Sequence, residues 1–178
     1  MELQAALEKR VSIRGTYTGA KVEREKIEEM LKAAQLAPSW KNSRTSRYYI
    51  AMGAEAYAKV RAALPEFNKN NTEGAAALIV TTVVKNRAGF DRDGNPDNEL
   101  GNGWGCYDCG LQAMAMLLKA SELGLSTLIM GIRDEKALRA ALDIPETEMV
   151  IGVTAVGVSE AEPIRPKRKD LNDIAKFF

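Results

Sequence analysis

Residues 109–123, CGLQAMAMLLKASEL, constrain the fold more than any other part of the chain. At helical spacing the only polar side chains are Gln112, Lys119, Ser121 and Glu122, so the helix is apolar nearly all the way round. A surface helix keeps one polar face, whereas a helix apolar on every side has to be covered on several. It therefore belongs between layers. In a chain of 178 residues, a second subunit is a natural source of some of that cover.

The covering elements are legible on either side of it. Residues 2–9 read as a short helix ending at Arg10, and 24–36 place Ile27, Met30, Leu31 and Ala34 at helical spacing before Pro38 stops the run. Residues 46–52 read as a strand and 54–64 as a helix ended by Pro65. AAALIVTTVV (75–84) is the clearest buried strand, being β-branched and bounded by polar segments. Residues 85–104 are crowded with Gly, Asn and Asp and read as a lid-like loop. A strand at 126–130, a helix at 135–142, a strand at 149–158 and a Pro-containing basic tail at 160–178 complete the chain. Neither a linker nor a repeat interrupts it, so the expectation is one α+β domain over 1–178, with a sheet covered by helices.

Composition removes several chemistries. With no histidine there is no Ser-His-Asp triad, imidazole base or His-ligated metal, and two cysteines alone cannot close a tetrahedral zinc site. The chemistry is then expected to come from a cofactor. A formal net charge of +1 gives no general attraction to nucleic acid, and no apolar run reaches membrane-spanning length. The lack of a disulfide framework points to a reducing cytoplasm.

Four local patterns carry candidate chemistry. Arg10, Ser12 and Arg14 alternate after a helix, so an extended backbone would turn two guanidiniums and a hydroxyl to one side, a good anion receptor. The same pattern also fits a solvated basic surface. The tail run 165–169, RPKRK, gains meaning only if it folds back beside them. Ala37–Ser43, APSWKNS, offers Ser39 and Asn42 as turn formers or as partners of a heteroaromatic ring. WGCYDCG holds both cysteines, Cys106 and Cys109, but Asp108 between them opposes thiolate formation. A dithiol or a metal shared between two chains stays open as the alternative.

In order and spacing, these patterns resemble the nitroreductase family of FMN-dependent oxidoreductases, from about residue 5 to residue 171. The resemblance rests on R-x-S-x-R (Arg10, Ser12, Arg14), on A-P-S-x-x-N (Ala37, Pro38, Ser39, Asn42), and on Asn68 and Asn71 before the strand ALIVTTVV. It continues through ASELGLST (Ala120 to Thr127), MGIRDEKALRAALDIP and the closing Lys167-Arg168-Lys169-Asp170-Leu171. It implies a central mixed or antiparallel sheet and an intertwined homodimer, with FMN at the interface and C-terminal tails wrapping the partner. Arg10, Ser12, Arg14 and Arg168 would hold the FMN phosphate and ribityl region. Pro38, Ser39 and Asn42 would lie along the flavin, Asn68 would reach its pyrimidine edge, and Asn71 would also contact the cofactor. Backbone around Leu128 to Gly131 would face N5. NADH or NADPH would donate electrons to a nitroaromatic or quinone acceptor, with Trp40 and Trp104 candidate substrate contacts. No side chain is expected to be catalytic in itself, and an electron-carrier role is the runner-up.

The chain departs from the family where x-Q-P-W often follows the asparagine; here Ser43, Arg44, Thr45 and Ser46 stand instead. Met130 replaces the acidic residue near the end of the 126–131 strand.

Overall fold

The computed structural model describes residues 2–162 and 164–178. Four strands, β1 (Ser46–Ala51), β2 (Ala77–Val84), β3 (Ser126–Met130) and β4 (Glu148–Gly157), form a sheet in the order β1-β2-β4-β3. Every neighbouring pair is antiparallel. Of the two sheet types expected, the antiparallel one is found, with a single parallel bridge from Ser12 to Thr127 at its β3 edge. The helices are α1 (Leu3–Lys9), α2 (Arg24–Gln35), α3 (Ala54–Ala62), α4 (Glu66–Asn71), α5 (Gly103–Glu122), α6 (Glu135–Leu142) and α7 (Leu171–Ile174).

Strand β2 is the axis of the core. Successive side chains of a strand point to opposite faces, so its unbroken apolar run feeds two layers at once. Leu78 and Val80 pack with Val60 of α3 and Leu138 of α6. Ala77 and Ile79 pack with Ile27 and Met30 of α2 and with Met116 and Ala120 of α5. Helices therefore cover both faces, and this is why β2 shows no polar alternation.

Helix α5 begins at Gly103, not at the Cys109 that the apolar pattern indicates, so Trp104, Cys106 and Asp108 lie inside it. Two glycines and a buried aspartate hide the helical period there. Gly105 is where α5 crosses β2: a Cβ on it would lie 2.5 Å from Cγ1 of Val83. The glycine permits close approach and does not break the helix. α4 was legible only as an Asn-rich stretch, because FNKNN is poor in helix formers; it starts directly after Pro65.

Part of α5 stays uncovered in one chain, as its composition requires. Tyr107 is 60% exposed and Met114 36%, seven residues apart and so on one side of the helix. Leu3, Leu7 and Leu36 are exposed too, and the tail carries Ile164, Leu171, Ile174, Phe177 and Phe178 outward. No helix among the described residues is long and apolar enough to cross a membrane.

Candidate functional site

The first group of candidate residues gathers at the free edge of β3. α1 stops at Arg10, and the chain continues extended, with Ile13 N–H donating to the Thr127 carbonyl at 3.0 Å. Ile13 points into the core, so Ser12 and Arg14 turn the other way, Ser12 half-buried and Arg14 exposed. Gly15 N–H donates to the Asn71 carbonyl at 3.1 Å, which ties the end of α4 to this segment. Asn68 is buried and donates from Nδ2 to the Ile132 carbonyl at 3.0 Å, just past β3. Arg10, Ser12, Arg14, Asn68, Asn71 and the stretch from Leu128 to Gly131 thus share one neighbourhood. The Leu128 and Met130 side chains are in the core, so this stretch faces outward through its backbone and the exposed Ile129 side chain.

Beside Arg10 opens a cavity of about 330 Å³, lined also by Lys9, Ser121, Ser126, Thr127, Ser159 and Arg165. Nε of Arg10 is buried there without a hydrogen-bond partner among the described residues. The tail does fold back, but through Arg165. Arg168 is exposed and donates to the Pro166 carbonyl at 3.2 Å, so within one chain it does not line the cavity. The run RPKRK offered several cations and nothing in the sequence to choose among them, and Lys9 went unnoticed as the last residue of a helix.

The second group is the turn after α2. Lys41 (φ 44°), Asn42 (φ 54°) and Arg44 (φ 51°) are three of the five non-glycine residues with left-handed backbone among those described. Each costs roughly 1–2 kcal/mol, and strain of this kind concentrates at functional sites. The turn is held by Ser39, whose carbonyl accepts from Asn42 N–H at 2.9 Å and whose hydroxyl accepts from Arg44 N–H at 3.1 Å. It is also held by buried Asp108, which accepts from Trp40 N–H at 2.9 Å. Burial raises the Asp108 carboxyl above its ordinary pKa, and the Trp40 hydrogen bond opposes the rise. Trp40 Nε1, Ser43 Oγ and Thr45 Oγ1 are buried and find no partner among the described residues. Buried polar atoms of native proteins nearly always have a partner, in the protein or in ordered water, so these three mark where the turn can take up further hydrogen bonds. Ser39 and Asn42 line a second cavity of about 700 Å³ with Arg44, Arg47, Tyr48 and Gln112. Pro38 is exposed at its rim.

The lid is a folded loop. Asn86 N–H donates to Asn102 Oδ1 at 2.7 Å and Asn102 Nδ2 returns a bond to Asn86 Oδ1 at 3.0 Å, closing its two ends. Inside it the Asp91 carboxylate collects the N–H groups of Asp93 and Asn95 at 2.9 and 2.8 Å. Lys41 Nζ pairs with Asp97 at 2.8 Å, and the Trp40 and Trp104 rings meet at 4.4 Å between centroids, inclined at 43°. The Trp104 indole N–H donates to Asn98 at 2.8 Å, so Trp104 serves to seat the lid on the turn.

The two thiols are poorly placed for redox work. Cys106 is exposed and Cys109 buried. Burial lifts both, and Cys109 is pushed up to about 11, with the neighbouring Cys106 and Asp108 adding to the effect of burial. Both stay protonated at neutral pH and are weak nucleophiles. No cluster of three or more metal-binding side chains exists among the described residues.

The two cavities lie on opposite sides of α5. Gln112 lines one and Ser121 the other, nine residues apart, and at about 100° per residue these positions differ by about half a turn. A ligand needing both groups cannot reach them around a single helix.

The sequence pattern of the Nitroreductase family matches residues 7–158. A protein of Archaeoglobus fulgidus named for NADH dehydrogenase and NAD(P)H nitroreductase activity is 31% identical over 158 residues, 86% of this chain and 83% of that one. A nitroreductase family protein from Clostridium difficile 630 superposes with a TM-score of 0.80 at 24% identity, over 99% of this chain and 98% of the other. A solved oxidoreductase containing FMN does so at 0.83 and 22% identity, over 99% and 91%. The chain belongs to the nitroreductase family. It is accordingly an oxidoreductase, and its antiparallel sheet with helices on both faces is that family's fold.

Proposed function

We propose that the chain works as a homodimeric, FMN-dependent oxidoreductase of the cytoplasm, taking electrons from NADH or NADPH and passing them to a small acceptor such as a nitroaromatic or quinone. The observation that carries this reading is the division of candidate residues between two cavities on opposite sides of α5, one of them lined by Arg10, whose buried Nε has no partner among the described residues. A second copy docked on the uncovered side of α5 completes the site and covers Tyr107 and Met114.

The residues fit the cofactor. The unpartnered Nε of Arg10, with Lys9 and Arg165 beside it, suits a phosphate, and Ser12 and Arg14 extend the polar edge towards the ribityl chain. Asn68 and Asn71 suit the pyrimidine end. The backbone from Leu128 to Gly131 supports the other side of the ring. From the partner, Pro38, Ser39 and Asn42 lie along it. When bound, FMN supplies the centre that accepts hydride and releases electrons. The chain's own task is to bind, orient and exclude water, which is consistent with a sequence lacking histidine. The lid and Trp40 close the acceptor side, so donor and acceptor use the same space in turn, a ping-pong order. Arg168, exposed and bonded through one terminal nitrogen to the Pro166 carbonyl, keeps further donors for the partner's phosphate site.

Complementation tests the shared site. Arg10→Ala and Asn42→Ala chains, each depleted of flavin alone, are co-expressed with different tags and the mixed dimer isolated. A site built from two chains leaves one of the pair intact, so the mixed dimer should recover about half of the wild-type flavin. Flavin no higher than in either parent would place the site within one chain.

A further inference from the structure

The larger cavity has a charge character that flavin binding does not require. Among the ten residues lining it are two guanidiniums, Arg44 and Arg47, and no carboxylate. Neither arginine makes an ion pair among the described residues. Both are held in place by bonds that leave donors over. Arg44 donates from Nε to Asn42 Oδ1 at 2.9 Å, which fixes the fork while its terminal nitrogens stay free. Arg47 donates through one terminal nitrogen to the carbonyls of Arg44 and Ser46, both at 2.9 Å. The first of these carbonyls belongs to Arg44, itself a residue of left-handed backbone, so the strained turn and the Arg47 side chain are joined by a hydrogen bond. The cavity has apolar wall as well, from Leu31 and Ala37, and Tyr48 beside them gives its hydroxyl hydrogen to Gln112 Oε1 at 2.9 Å.

We propose that Arg44 and Arg47 form an anion grip that selects electron acceptors carrying a carboxylate on a flat apolar body. Planar guanidiniums with free paired donors match a carboxylate edge, and the absence of a competing acid in the lining leaves the anion as their natural partner. The volume of about 700 Å³ accommodates a one- or two-ring acid. The inference rests on the flavin reading, because Ser39 and Asn42 belong to both the cavity and the flavin contact. Arg44 and Arg47 are specificity-determining residues here; they take no part in electron transfer itself.

The test compares para-nitrobenzoate with para-nitrobenzamide, which has the same shape and no charge, in the flavin-loaded full chain. The ratio of their kcat/KM values should favour the acid by about tenfold or more in the wild type, the scale of a charge-assisted contact. It should fall towards unity in the Arg44→Gln, Arg47→Gln double variant and recover partly in Arg47→Lys. A ratio near unity in wild-type protein with flavin bound, or one the double variant leaves unchanged, overturns the proposal. So does loss of flavin from the double variant, which assigns these arginines to the cofactor. A collapse of NADPH use relative to NADH, with the acid ratio intact, assigns them to the donor's phosphate and overturns it as well. If the wild type takes up no flavin, the earlier reading fails instead; calorimetric titration of para-nitrobenzoate into wild type and double variant then reads the grip alone, and equal affinity refutes it.

Discussion

Gly105→Ala isolates the contact that lets α5 sit against the sheet. Two effects oppose each other. Alanine in place of glycine inside a helix gains roughly 1 kcal/mol of intrinsic propensity. The new Cβ, however, would lie 2.5 Å from Val83 Cγ1, about 1 Å inside the usual carbon–carbon separation, while its next neighbours, Thr45 Oγ1 and Val83 Cβ, are at 3.8 Å. Val83 is buried and cannot turn away freely, so α5 has to move off β2. Overpacking costs about 1–3 kcal/mol, and a clash this close, in the upper part of that range at about 2–3 kcal/mol, leaves a net loss of about 1–2 kcal/mol after the propensity gain. For a chain of this length that is roughly 2–8 °C in Tm by circular dichroism. The control is Val83→Ala, which makes room: in that background Gly105→Ala should raise Tm, because only the propensity gain is left. An increase in Tm on the wild-type background, or no difference between the two backgrounds, would refute the close approach.

Other perturbations reach the turn, the lid and the thiols. Burial raises the Asp108 carboxyl, so the folded chain holds this proton more tightly than the unfolded chain. Its contribution therefore favours folding at low pH and is lost as pH climbs from about 4 through the folded value; Asp108→Asn should gain on the wild type in Tm over that rise, and the reverse trend would show that the Trp40 bond outweighs burial. Asn102→Ala breaks the clasp with Asn86 and should cost about 1–2 kcal/mol of local stability, read as faster tryptic nicking at Arg92; unchanged nicking would mean the lid is held elsewhere. Cys106→Ser with Cys109→Ser should keep flavin and turnover, whereas complete loss of turnover with flavin still bound would restore the dithiol reading.

The layered fold was largely legible because each element announced its own burial. The unbroken β2 run meant two covered faces, and the all-round apolar α5 meant more cover than one sheet can give. Boundaries failed where packing overrode pattern. α5 starts at Gly103 and runs through Gly105, which serves contact with Val83, and sequence alone reads such glycines as a stop. The candidate site was legible as residue types in order, since R-x-S-x-R and A-P-S-x-x-N carry recognisable hydrogen-bonding sets. Which residues meet was hidden. Arg165 rather than Arg168 turns back to Arg10, and Trp104 spends its indole N–H on Asn98, both being outcomes of loop geometry set by distant contacts. The left-handed backbone at Lys41, Asn42 and Arg44 was equally invisible, for none of the three is a glycine.

The most direct measurement of the central proposal is the visible spectrum of freshly purified protein, before and after addition of FMN and then of NADH or NADPH. Two chains that together form a flavin site should show an oxidised-flavin spectrum that bleaches when the nicotinamide is added under anaerobic conditions. A colourless protein that leaves added FMN free in solution would contradict it.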